Sequence, residues 1–183
     1  ETFVVNYIAV ILENLPNTNR KKRHKELLSL TANAKIKVIQ STVLVLGNLK
    51  YNIETDALII KKTFVIFDKL LEKKAEEINQ AITIALGNLH YLGTDAQSRL
   101  LTLANKNEPL ICYHISFFLF KKHTDILNET WKKELLLTLS NTPCKNKGTL
   151  LNIDLLLSEL IKTESNQYLF DCFFNDWIIK SDF

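Results

Sequence analysis

The residues able to do bond-making chemistry are few and scattered. Four histidines (His24, His90, His114, His123) and three cysteines (Cys112, Cys144, Cys172) are the candidate bases, nucleophiles and metal ligands. None stands in an HExxH, CxxC or mixed His/Cys spacing that would converge on zinc. Cys112 and His114 are two apart, so on a helix they point away from each other. His114 lies in an apolar stretch and reads as a packed or capping side chain. No nucleophile elbow, P-loop or dinucleotide fingerprint occurs. With 4 Gly and 3 Pro in 183 residues there is little from which to build a phosphate-cradling loop. The expectation is a chain with no catalytic residues, no metal and no cofactor. An odd, widely spaced set of cysteines reads as reduced thiols in a cytoplasmic setting, not as a disulfide framework.

The other chemistry on offer is electrostatic. Arg20-Lys-Lys-Arg-His-Lys25 is the densest cationic run. It suits a contact with nucleic acid, an acidic partner or a membrane surface, and it suits better a solvated connection and first helical turn. No aromatic is interleaved with it, which weakens a reading based on base stacking. Lys61, Lys62, Lys69, Lys73 and Lys74 recur on one later segment, partly offset by Glu72, Glu76 and Glu77. They extend a basic groove or form a solvated face. The candidate partner-binding residues are therefore Arg20, Lys21, Lys22, Arg23, Lys61, Lys62 and Lys69. Residues 1–92 carry 13 Lys/Arg against 9 Asp/Glu, and residues 93–183 carry 10 against 11, so only the first half leans basic. The formal charge of +3 is too small to require nucleic acid. Trp131-Lys-Lys133 opens a further segment, and Phe173, Phe174 and Trp177 gather near the end, as core or as a docking patch.

The longest uncharged run, 78–94, contains Asn79, Gln80, Thr83, Asn88 and His90 and is too polar to span a membrane. The first residues carry no basic n-region, and Asn6 breaks the apolar stretch through Leu12, so no signal peptide is read.

What positions these residues is a set of helices. Hydrophobic residues make up 46% of the chain, enough for a core, and the scarcity of breakers favours long helices with short links. Thr42-Val-Leu-Val-Leu-Gly-Asn-Leu49 recurs as Ile82-Thr-Ile-Ala-Leu-Gly-Asn-Leu89, 40 residues on. Apolar columns extend the echo: Val38, Ile78, Leu110 and Leu150, then Ser41, Ala81, Tyr113 and Ile153, then Val45, Ala85, Phe117 and Leu157. These columns put the copies 40, 32 and 40 residues apart. Spacing i, i+3, i+7 places each column set on one helical stripe. A second stripe follows each copy after a polar break. Leu58, Ile59, Val65, Ile66 and Leu70 follow Glu54-Thr-Asp56. Leu100, Leu101 and Leu103 follow Thr94-Asp95, and Leu135, Leu136, Leu137 and Leu139 follow Asn128-Glu-Thr130. Phe170, Phe173, Phe174, Trp177 and Ile178 form the fourth. Phe3–Leu15 and Arg23–Ala34, separated by Pro16, read as one more pair.

Ala85-Leu-Gly-Asn-Leu89, followed by Gly93-Thr-Asp-Ala96 and a Leu-rich helix, resembles the HEAT repeat in its short bacterial lyase-like form. Asn107-Glu-Pro109 before Leu110 is similar to that family's acidic-Pro start of the next unit. The resemblance covers about residues 35–122 and continues elsewhere by pattern. Two features depart from it. Ile111 and Cys112 replace the Arg often found after that start, and Leu119 and Glu159 replace the Gly. The resemblance implies an all-α fold, a right-handed α-α superhelix (HEAT-like solenoid) of about five antiparallel helix pairs over residues 1–183. Residues 1–34 are then an N-terminal capping pair, 35–122 the best-defined repeats and 123–183 degenerate C-terminal repeats. It further implies a non-catalytic scaffold or adaptor that binds a protein partner, although a fold fixes no activity. The alternatives are nucleic-acid binding through the basic N-terminal half, a HEAT-like DNA glycosylase, and a regulatory or toxin-neutralising subunit. Against the glycosylase, Arg20, Arg23 and Arg99 are the only arginines, and both Trp lie outside the best repeats.

Overall fold

The computed structural model describes residues 17–33, 35–141 and 146–162, together with Ile8, Ile11 and Asp171. Among them every regular element is helical. The chain divides into two compact units, Glu1–Leu92 and Gly93–Phe183.

In the first unit the helices are α1 (Asn17–Leu30), α2 (Ile36–Asn48), α3 (Ala57–Leu71) and α4 (Glu76–Asn88), closed by a 3-10 turn at His90–Leu92. The sequence echo becomes a seam. Gly47 on α2 sits directly against the backbone and Cβ of Ala85 on α4, so a Cβ at Gly47 would collide with Ala85. Asn88 Nδ2 donates to Asn48 Oδ1 at 2.8 Å, and the Tyr51 N–H donates to the Tyr91 hydroxyl at 2.9 Å. All three contacts join C-terminal ends, so α2 and α4 run parallel. The intervening α3 leads from the end of α2 back to the start of α4 and is antiparallel to both. Its start is fixed by a local turn: the Asp56 carboxylate accepts from the Asn52 N–H at 3.0 Å, and Asn52 Oδ1 accepts from Glu54 and Thr55 N–H at 3.0 Å each. Helix α1 packs on α2 and α3.

The second unit contains α5 (Thr94–Ala104), α6 (Pro109–Lys122), α7 (Glu129–Asn141) and α8 (Lys147–Leu160). Trp131 Nε1 and Asn128 Nδ2, at the start of α7, donate to the Gln97 carbonyl (3.1 Å) and to Gln97 Oε1 (3.2 Å), at the start of α5. Along α6 and α8, Tyr113 meets Gly148 and then Asn152 Nδ2 donates to Ser116 Oγ at 3.1 Å, so these two helices are parallel as well. Helix α6 therefore runs antiparallel to α5 and α7. Gly93, at φ 86°, supplies the left-handed residue before α5, a conformation that a Cβ penalises.

The structure moves three sequence expectations. First, α1 begins at Asn17, six residues ahead of the expected Arg23, so the basic run lies inside a helix and not in a connection. Second, the third copy stands one residue out of the expected frame, and in the fourth Ile153 is buried as expected but Leu150 is not. Leu110 and Phe117 are 41% and 44% exposed, and Leu150 is 50% exposed, whereas α6 buries Ile111, Cys112, Ile115, Ser116 and Leu119. The copy spacing is 33 where 32 was expected. Leu119 takes the place of Leu86, and His123 that of His90. Asn107 (φ 58°) takes that of Lys74 (φ 53°), each two residues before the start of a helix, α6 and α4 respectively. The physical reason is that α6 is apolar around most of its circumference, so apolarity alone cannot select the buried face. Third, of the expected α3 stripe Leu70 is buried and Ile59 and Ile66 are half-buried, but Leu58 and Val65 are exposed, and Thr63, Phe64 and Phe67 are buried in their stead. The expected helices at Phe3–Leu15 and around Phe170–Ile178 lie outside the described residues, as do Cys144 and Cys172.

Candidate functional site

The candidate cations belong to α1 and α3, which pack on each other. What orients α1 is His24, which is 5% exposed. Its Nε2 lies 3.1 Å from Thr63 Oγ1 on α3 and 3.4 Å from the Tyr51 hydroxyl, which donates to the Leu46 carbonyl at 3.1 Å. Turning His24 inward leaves Lys21, Lys22 and Lys25 exposed on the same helix. Arg23 is exposed too, but its guanidinium is engaged by Glu26 at 2.6 Å. Arg20 belongs to α1, and its side chain lies outside the description.

On α3 the buried edge runs through Thr63, Phe64, Phe67 and Leu70. Leu58, Lys61, Lys62, Val65 and Lys69, spaced at i, i+3, i+4, i+7 and i+11, therefore share the opposite face. All five are exposed, Leu58 at 66% and Val65 at 43%. Among the described residues Lys21, Lys22, Lys25, Lys61, Lys62 and Lys69 make no ion pair. Lys73 and Lys74 are exposed just beyond the C-terminal end of α3. The structure thus brings Lys21, Lys22, Lys61, Lys62 and Lys69 onto two packed helices. It adds Lys25, Leu58 and Val65, which sequence reasoning left out of the site. Leu58 and Val65 carry a signal, an apolar pair seven residues apart that brackets two lysines, but the same pattern fits a core stripe.

Among the described residues, the histidines and Cys112 take structural positions. His90 Nδ1 donates to the Gly87 carbonyl at 2.9 Å and His123 Nδ1 to the Phe120 carbonyl at 2.8 Å, closing the C-terminal ends of α4 and α6. His114 lies edge-on to Tyr113, and burial lowers its pKa below the ordinary 6.5 by desolvating the charged form. Cys112 is buried, with Sγ 4.0 Å from the Ala104 carbonyl. Trp131 and Lys132 are buried as well, so they are not a surface motif. Among the described residues no group of three or more His, Cys, Asp or Glu side chains is placed to hold a metal ion, and no helix is long and apolar enough to cross a membrane.

No protein-family model, curated protein or solved structure matches the chain.

Proposed function

We propose that this chain is a non-catalytic protein-binding module, built as a HEAT-like stack of antiparallel helix pairs in which α1 and α3 carry the partner surface. The observation that carries the reading is the set of six exposed lysines without ion pairs on two packed helices. In a HEAT-like arrangement first helices lie beside first helices and second helices beside second helices. The parallel α2/α4, α5/α7 and α6/α8 pairs support that arrangement, as does the recurrence of capping His90 and His123. The helical-repeat reading favours binding over catalysis because each unit contacts its neighbours and leaves a long face free. Nucleic acid is the weaker occupant: Arg23 is held by Glu26, and the aromatics of α3, Phe64 and Phe67, are buried away from the lysine face.

The test is a photoreactive amino acid at Val65 in the full protein, irradiated in the cells it comes from. The reading predicts a discrete adduct that protease removes and nuclease leaves intact. No adduct, or one removed by nuclease, contradicts it.

A further inference from the structure

Resting on the protein-binding reading, we infer that the exposed face of α3 receives an acidic amphipathic helix, with Leu58 and Val65 meeting its apolar edge and the flanking lysines its carboxylates. The face has two properties that must be explained together. Its lysines, like the three on α1, are exposed and make no ion pair among the described residues, so a carboxylate approaching one of them displaces water and not an internal partner. Its centre is apolar: Leu58 and Val65 are seven residues apart on α3, about 10 Å along a helix axis. Two apolar anchors at that separation match side chains at i and i+7 of a partner helix laid along α3.

Charge complementarity then defines the rest of that partner. Lys61 and Lys62 lie between the anchors and Lys69 one turn beyond the second, so each anchor is flanked by cations. Lys21, Lys22 and Lys25 are exposed on α1, which packs against α3. A partner helix with Asp or Glu beside its apolar stripe satisfies both features. A nucleic-acid backbone satisfies the cations alone and leaves Leu58 and Val65 in water. A flexible polyanion does likewise. The apolar centre therefore decides for an amphipathic helix.

The probe is a labelled synthetic helix with Leu at its a and d heptad positions and Glu at the others, titrated by fluorescence anisotropy into the full chain at physiological salt. Binding is expected. The triple variant Lys61→Glu/Lys62→Glu/Lys69→Glu should weaken it at least about tenfold, since three attractive contacts become repulsive. The pair Leu58→Ser/Val65→Ser should weaken it by roughly fivefold or more with all charges kept. Circular dichroism should be unchanged for both variants, because these side chains are already exposed. The inference is overturned if the probe fails to bind, or if the same helix with Lys in place of Glu binds as well. It is also overturned if single-stranded DNA of equal charge binds as tightly, or if the Leu58/Val65 variant keeps full affinity. Loss of probe binding with the protein adduct at Val65 intact removes the acidic-helix assignment alone; loss of both removes the binding-module reading too.

Discussion

Among the described residues, several lysines of the second unit are engaged by their own unit, whereas those of α1 and α3 in the first are not. In the second, Lys122 meets Asp125 at 3.0 Å and Lys162 meets Glu159 at 2.7 Å. Lys121 lies 5.8 Å over the Phe117 ring and 5.0 Å over Phe120, and buried Lys132 donates to Glu129 (2.7 Å) and to the His123 carbonyl (3.3 Å). In the first, six lysines on α1 and α3 stand exposed without ion pairs among the described residues. Charge counts treat these sets alike. Geometry separates cations that serve their own unit from cations left for something else. The seams differ as well. In the first unit Gly47 meets the backbone of Ala85, which cannot move aside, whereas in the second Gly148 meets the ring of half-buried Tyr113.

The largest effects test whether the repeat frame is shared. Leu86→Ala and Leu119→Ala, both fully buried, should each cost about 2–5 kcal/mol in denaturant melts. Phe117→Ala should cost less than about 1 kcal/mol because the ring is 44% exposed. A large Phe117 effect with a small Leu119 effect would restore the 32-residue frame. Next, Gly47→Ala should destabilise by about 2–3 kcal/mol even after the gain in helix propensity. Gly148→Ala should stay within about 1 kcal/mol of the parent, since the Tyr113 ring can yield. Equal costs would erase the difference between the seams.

The lysine contrast is smaller in energy. Lys132→Ala should cost about 1–3 kcal/mol, because it removes a buried ammonium and leaves the His123 carbonyl short of a donor. Lys62→Ala should fall within about 0.5 kcal/mol of the parent. Smallest of all is a pH effect. His114 has a folded-state pKa below 6.5, so the unfolded chain binds the proton more readily. Its contribution to stability is then lost as pH falls below that value and recovered as pH rises through it. Melting midpoints from about pH 7 to about pH 5 should fall less in His114→Gln than in the parent; an unchanged slope would contradict the burial of His114.

Much of the helical layout was legible because it rests on periodicity and local turn chemistry. The 40-residue echo of Gly47-Asn-Leu49 in Gly87-Asn-Leu89 marks the α2/α4 seam. Asp56, Thr94 and Asn128 mark the starts of α3, α5 and α7 within a residue. The buried faces of α3 and α6 were not legible. Both helices carry apolar residues on more than one side, and the choice is made by what they pack against: α1 reaching Thr63 through His24, and α8 reaching Ser116 through Asn152. The left-handed turn at Lys74 had no sequence signal, since lysine seldom adopts it. Of the site, the cations were legible by type. Their pairing was not, nor was the exposure of Leu58 and Val65, because each depends on which face α3 turns inward.

The most direct measurement sets the two regions against each other in one binding assay. Take the protein partner identified by crosslinking at Val65, and measure its affinity for Lys61→Glu/Lys62→Glu/Lys69→Glu and for Lys106→Glu/Lys121→Glu/Lys122→Glu. The two variants carry the same change in net charge, one in each unit. The account predicts at least about a tenfold loss for the first and less than about a twofold change for the second. Equal losses, or a loss confined to the second, would contradict it.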